Sequence, residues 1–333
     1  MSIITTLEYP RLRHCTFVER ENQIVMIVGQ DLFEIEEVDG SRDTFFNVKR
    51  YFDGRHSIAD ISRITGVGES DIRGIVEEFH ALGLMRTEAD LDFIPSADYI
   101  RKVQDSCVMW GRQIGFHTLF GSLEKGTLRK EVFIGLLLET YHYVKAAPKH
   151  ISVALAHCSN PHYEKLIVDY FIDEYNHAGL ILDTLENLGV PRHQAEQAHP
   201  IIGTMSLINM LCDVARHNTF AYLACTSLFE ARKEDFEAAK ESFERIAANY
   251  GFDKNAVAPV IEHLRGDVEA DHNSLLIEAL RGQEFVEAQL AHYTVNCLHD
   301  LKHSFDQFHD QIIQYYSDIS NYIPRLKVDY FSL

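Results

Sequence analysis

From residue 97 to about residue 316 the chain runs through one amphipathic stretch after another at the helical period and almost never alternates as a strand does. With no strands to pack on, such segments can bury their apolar faces only against one another. They read as helices over 97–116 with an extension toward 123, 129–147, 150–157, 161–188, 201–233 with a break near His217, 236–250, 257–280 and 283–316. Connections are short and no self-similarity recurs at a fixed period. The pattern predicts one all-α bundle rather than a helical repeat array.

The first ninety residues follow different rules. Short strands are expected over 15–18, 23–29 and 32–38, the last because Phe33 and Ile35 alternate with Glu34 and Glu36. After Asp39-Gly40 the period turns helical, with Phe45, Phe46, Val48 and Phe52 on one side. Ser57 is a good N-cap for a second helix carrying Ile58, Ile61 and Ile64. A third starts at Ser70, presents Ile72, Ile75, Val76, Phe79 and Leu82, and stops at Gly83. Strands followed by three short helices predict a small winged-helix-like α+β module. The polar stretch 87–97, ending in Ile94-Pro95-Ser96, separates a domain over 1–90 from a helical domain over 97–333.

Charge limits the partners. The chain carries 31 Lys and Arg against 50 Asp and Glu, a net charge of −19. In residues 1–90 the balance is ten to seventeen, and the helix that would read a DNA groove holds Asp71, Glu77 and Glu78 against Arg73. A phosphate backbone would be repelled, so nucleic acid is not an expected partner. The six Cys are scattered without a Cys-x-x-Cys pair, which fits free thiols in a reducing cytoplasm. No stretch approaches the roughly 18 apolar residues of a membrane span, and the N-terminus has no basic start followed by an apolar core. A cytoplasmic protein with no membrane partner is expected.

Acidic and imidazole groups recur on otherwise apolar helix faces. Asp173-Glu-Tyr-Asn-His177 puts Glu174 and His177 three residues apart, on one face of a regular helix. Glu139 follows three Leu residues, where an unpaired carboxylate would be costly. Glu230 ends the almost uncharged run that begins at Ala221, and His263 and Asp267 stand one turn apart with Glu269, Asp271 and His272 close behind. Carboxylates with a few imidazoles from four helices suit a pair of iron or manganese ions. The absence of Cys from these positions argues against zinc or an iron–sulfur cluster. The ordinary reading suffices elsewhere: His142 with Tyr141 and Tyr143 as pocket lining, His157, His162, His193, His199 and His217 as structural, and the late His292, His299, His303 and His309 as a polar face. Tyr315-Tyr316 and Tyr330-Phe331 suggest packing or an oligomer contact, and a homodimer is expected.

Two resemblances attach to these residues. Phe33-Glu-Ile-Glu with Tyr51-Phe-Asp-Gly-Arg-His-Ser-Ile-Ala-Asp-Ile resembles PqqD-type domains. That resemblance implies recognition of a precursor peptide, or a carrier, through residues 1–90, by strand addition at a sheet edge. The order Glu139, Glu174, His177, Glu230, His263, Asp267 resembles the heme-oxygenase-like di-iron oxidase family, over most of 129–280. It implies a heme-oxygenase-like helical bundle, those six residues as ligands of two iron ions with manganese as the alternative, and dioxygen as co-substrate. The activity implied is oxidation of a peptide or amino-acid-derived substrate in natural-product biosynthesis. Related folds without the di-iron site, the cofactor-free pyrroloquinoline quinone synthases and thiaminases, are the alternative, as is a non-catalytic peptide-binding protein. One feature departs from the family. A His usually follows the Asp by three residues, and here that position is Ala270. His272 or Asp271 could complete the second metal site through a π-bulge, or Glu269 and His272 could supply the Glu-x-x-His geometry.

Overall fold

A computed structural model describes residues 7–20, 23–28, 31–36, 41–86, 91–230, 232–270 and 274–327. The chain divides into two units, Met1–Leu91 and Asp92–Leu333.

In the first unit, β1 (Thr16–Arg20), β2 (Gln23–Val28) and β3 (Asp31–Glu36) form an antiparallel sheet in that order. The register sets Phe17 beside Met26 and Met26 beside Phe33, so one face presents an apolar row. Helices α1 (Ser41–Lys49), α2 (Ile58–Thr65) and α3 (Glu69–Ala81) supply the rest of the core through Phe45, Val48, Ile58, Ile61, Ile72, Val76 and Phe79. Ser57 and Asp60 form a reciprocal capping box at the start of α2, and Gly66, at φ 75°, ends it.

The second unit opens on β4 (Phe93–Pro95), paired antiparallel with β5 (Phe285–Glu287). It therefore begins before residue 97. Ile94 and Pro95, read from sequence as linker, are strand because Ser96 N–H and Ala288 N–H donate to the carbonyls of Glu284 and Asp92 across the pair. The helices follow as α4 (Ser96–Gly115), α5 (Thr118–Glu124), α6 (Lys130–Lys145), α7 (Ala147–His157), α8 (Pro161–Glu174), α9 (Ala178–Asn187) and α10 (Arg192–Gln197). Then come α11 (Ile202–His217), α12 (Thr219–Phe229), α13 (Phe236–Asn249), a 3₁₀ turn (Lys254–Val257), α14 (Ala258–Ala270), α15 (Leu275–Ala279) and α16 (Ala288–Ser317). Helix α12 is buried on every side from Phe220 to Leu228, as an uncharged helix must be, and it packs on α16, α15 and α11.

Several expected helices are divided. The 201–233 segment breaks at Asn218, beside the break expected near His217, where an extended backbone and a side-chain bond to Ala221 N–H start α12. The 283–316 segment gives its first residues to β5, after Gly282 at φ 80°. The 161–188 segment is interrupted at residues 175–177, where His177 N–H bonds the Glu174 carbonyl and Leu180 N–H the His177 carbonyl, both three residues back. That tightening takes the Glu-x-x-His stretch off the regular helical period. No helix among the described residues is long and apolar enough to cross a membrane.

Candidate metal centre

Four elements converge on one buried cluster. Glu174 is the last residue of α8, Glu230 caps the C-terminal end of α12, and His263 and Asp267 lie one turn apart on α14. His177 sits in the turn between α8 and α9. The break between Glu174 and His177 corrects the expectation of a single helix face, but the two groups still meet: His177 Nδ1 is 3.2 Å from Glu174 Oε2. It is also 3.4 Å from Asp267 Oδ1, while His263 Nδ1 is 3.2 Å from Asp267 Oδ2.

Two groups of donor atoms result, each lying within a mutual 4.8 Å: His177, His263 and Asp267, and Glu174, Glu230 and Asp267. Asp267 belongs to both. Its carboxyl is held below the usual carboxylate range, because the contacts from His177 and His263 outweigh the desolvation of a buried acid. The same contacts, Asp267 first and then Glu174, raise the His177 imidazole to about 10 against the opposing effect of burial. His263 Nε2 is buried without a hydrogen-bond partner, and Asp267 Oδ1 is buried with no hydrogen bond beyond the 3.4 Å approach of His177 Nδ1. Two of the carboxylates stand at helix C-termini, where the backbone dipoles already favour a cation. Orphaned donor atoms, three clustered carboxylates and two imidazoles fit a pair of divalent cations sharing Asp267.

Glu139 is in neither group. Its Oε2 accepts from Thr204 Oγ1 at 2.5 Å and from Ile201 N–H at 3.2 Å, and its Oε1 from the Tyr316 phenol at 2.6 Å. Burial raises its pKa, with these three donors opposing. The carboxylate behind three Leu residues is thus a buried structural acid with its own partners, which corrects its place among the six ligands. His142 is also in neither group. It is buried near Lys145 and His199, and burial lowers it to about 4. The reading of Asp271 or His272 as the completing ligand lies outside the described residues.

Sequence reasoning missed a polar layer around the carboxylates. Tyr170, one turn before Glu174, donates to Glu230 Oε1 at 2.5 Å. Tyr222 is bonded to His150 Nδ1 at 2.7 Å, and burial pushes that imidazole down to about 3. From α6 it is Tyr143, one turn beyond Glu139, that feels the cluster: burial first, then Glu230, Glu174 and Asp267, raise its phenol well above the ordinary value. The spacing of Tyr170 from Glu174 could have revealed the first of these, whereas nothing in the uncharged α12 run singles out Tyr222.

The bundle resembles a solved domain of unknown function from Shewanella denitrificans described as having a heme oxygenase-like fold, with a TM-score of 0.56 at 17% identity over 69% of this chain and 98% of that one. The helical unit has a heme-oxygenase-like fold. The chain is also similar to a solved TenA homologue from Pseudomonas syringae pv. tomato, with a TM-score of 0.50 at 13% identity over 65% of this chain and 93% of that one. Residues 104–232 match the model of the TENA/THI-4/PQQC family. This match takes in Glu139, Glu174, His177 and Glu230 and stops short of His263 and Asp267, so α14, which carries the shared carboxylate, lies beyond it. No curated protein matches the chain.

Proposed function

We propose that the helical unit is a non-heme di-iron oxidase that uses dioxygen to modify a peptide or amino-acid-derived substrate. The observation that carries the reading is Asp267, one carboxylate common to two donor groups. His177, His263 and Asp267 would hold one ion, and Glu174, Glu230 and Asp267 the other, with manganese as the alternative metal. Two such ions, when bound, supply the electrons that activate dioxygen for attack on an otherwise unreactive bond.

The chain's own residues set the conditions. Asp267 sets one oxygen near each imidazole, at 3.4 Å from His177 Nδ1 and 3.2 Å from His263 Nδ1. Tyr170 donates to Glu230 Oε1 and so helps to orient that carboxylate. Tyr222, fully buried, and Tyr143, partly buried, stand near enough to feel the carboxylates, and their surroundings keep both phenols protonated. His177 must give up its proton to ligate, and the cluster acids that raise its pKa are the groups whose charge an ion would neutralise.

For the first unit we infer a peptide-recognition role. Among the described residues β3 is bonded only to β2, so its outer edge is open to an added strand. The exposed Leu32 and the alternation of Phe33 with Glu34 suit an extended partner.

Oxygen uptake by anaerobically prepared, ferrous-loaded protein tests the oxidase reading. Uptake with an absorbance change on exposure to air, abolished by Glu174→Ala and by His177→Ala, is expected. Activity that survives chelation would instead favour a cofactor-free enzyme of the same fold.

A further inference from the structure

A cavity of about 190 Å³ opens beside Glu230, lined also by Leu228, Arg232, Phe236, Ala239 and Leu264 and reaching the backbone at Gly111. Glu230 is therefore shared between this cavity and the donor group of Glu174 and Asp267. Arg232 supplies the cavity's one cation among these wall residues. Its Nη2 donates to the Ser227 carbonyl at 3.0 Å, tying the guanidinium to the end of α12. The guanidinium lies about 3.8 Å from where a side chain at Gly111 would begin, so the bare backbone of α4 gives it a flat floor.

Arg232 has no acid partner among the described residues. Among the described residues no carboxylate oxygen comes within 4.0 Å of its guanidinium, although Asp235 and Glu230 line the same cavity. Elsewhere in this strongly acidic unit the half-buried or exposed Arg129, Arg192, Arg265 and Arg281 all have carboxylate partners. A guanidinium has five donors in a fixed planar fork, and one bond to a helix-end carbonyl leaves most of them unused. Such a fork matches a carboxylate two bonds at a time. A dianion such as phosphate would meet more repulsion from Glu230 and Asp235, and a cation would meet the guanidinium itself. The remaining wall of Leu228, Phe236, Ala239 and Leu264 is apolar. The space is smaller than the roughly 300–1,000 Å³ of a pocket for a whole drug-sized ligand, so it takes one small group or the end of a longer molecule.

We propose that Arg232 and this cavity bind the carboxylate of the substrate, a small aliphatic carboxylic acid or the C-terminal residue of a peptide, with its carbon chain laid beside Glu230 and the metal centre. Calling the ligand a substrate rests on the oxidase reading; the carboxylate site itself does not. Arg232 is then the specificity-determining residue, and the apolar wall limits the length of the chain attached to the acid.

Calorimetric titration of the full chain, metal-free and iron-loaded, with isovalerate, isovaleramide, the dipeptide Ala-Leu and Ala-Leu amide tests this. The acids are expected to bind at least about tenfold more tightly than the matching amides. Arg232→Gln is expected to bring each pair to within about twofold while leaving iron stoichiometry unchanged. Because Arg232 also ties down the end of α12, Ala239→Leu serves as a second variant: it fills the cavity, keeps the guanidinium, and is expected to weaken acid binding at least fivefold. Binding of isovalerate points to free acids as the source, and binding of the dipeptide acid alone points to a peptide terminus. Equal affinity for acids and amides, a preference that persists in Arg232→Gln, or no acid binding at tens of millimolar overturns the proposal. Iron stoichiometry is read in the same samples. Acid preference without iron binding sinks the oxidase reading alone, and iron binding without acid preference sinks the Arg232 site alone.

Discussion

The Tyr316 phenol donates to Glu139 Oε1 at 2.6 Å, joining the end of α16 to the middle of α6 across 177 residues of sequence. Together with Thr204 and Ile201 N–H it completes a closed set of donors around a fully buried carboxylate. Glu139→Ala would leave these donors unpaired in the core. The expected cost is about 3 kcal/mol, read as a lower denaturation midpoint, with iron content unchanged. Lost iron at unchanged stability would return Glu139 to the ligand set.

The same contact depends on Gly135. A Cβ there would sit 2.3 Å from the Tyr316 ring, far inside contact distance. Gly135→Ala should displace the ring, break its bond to Glu139 and destabilise the unit by about 2–3 kcal/mol. Double-mutant analysis with Tyr316→Phe checks the mechanism, since the two changes should be clearly less than additive.

Tyr170→Phe removes the donor to Glu230 without altering the packing volume much. Affinity for the ion held by Glu174, Glu230 and Asp267 should fall about 10- to 100-fold. The other ion should bind as before, which a stepwise metal titration resolves.

Metal binding should depend on pH through His177. Its folded-state pKa of about 10 lies above the ordinary 6.5, so at pH 7 the metal-free protein carries a proton that ligation must release. Apparent affinity should therefore rise about tenfold per pH unit between pH 7 and 9. Calorimetry in buffers of different ionisation enthalpy measures the released proton. In the metal-free protein the stabilisation from the charged imidazole is complete below pH 6.5 and is lost as the pH rises through about 10.

The all-α character of the second unit was legible because helical period and short connections leave few alternatives, and α2 of the first unit was legible in Ser57 and the apolar residues after it. Glu174, His177, Glu230, His263 and Asp267 were each visible as polar groups on apolar faces, and the structure brings them together. Glu139 looked the same in sequence and is not among them, because periodicity locates a helix face but not what the face meets. Thr204 and Tyr316, which occupy that carboxylate, lie 65 and 177 residues away. The break at residues 175–177 was hidden for a related reason. Helical propensity runs through Glu174 and His177, and tertiary contacts to α14 accompany the tightened turn. Strand β4 reads as linker in the sequence because three residues are too few to show a period, and its partner β5 is remote.

Anaerobic ferrous titration of the native chain, His263→Ala, Glu230→Ala and Asp267→Ala reads the shared carboxylate most directly. The account predicts two ions in the native chain, one in each of the first two variants, and none held tightly in Asp267→Ala. An Asp267→Ala protein that folds and still holds one or two ions would contradict it.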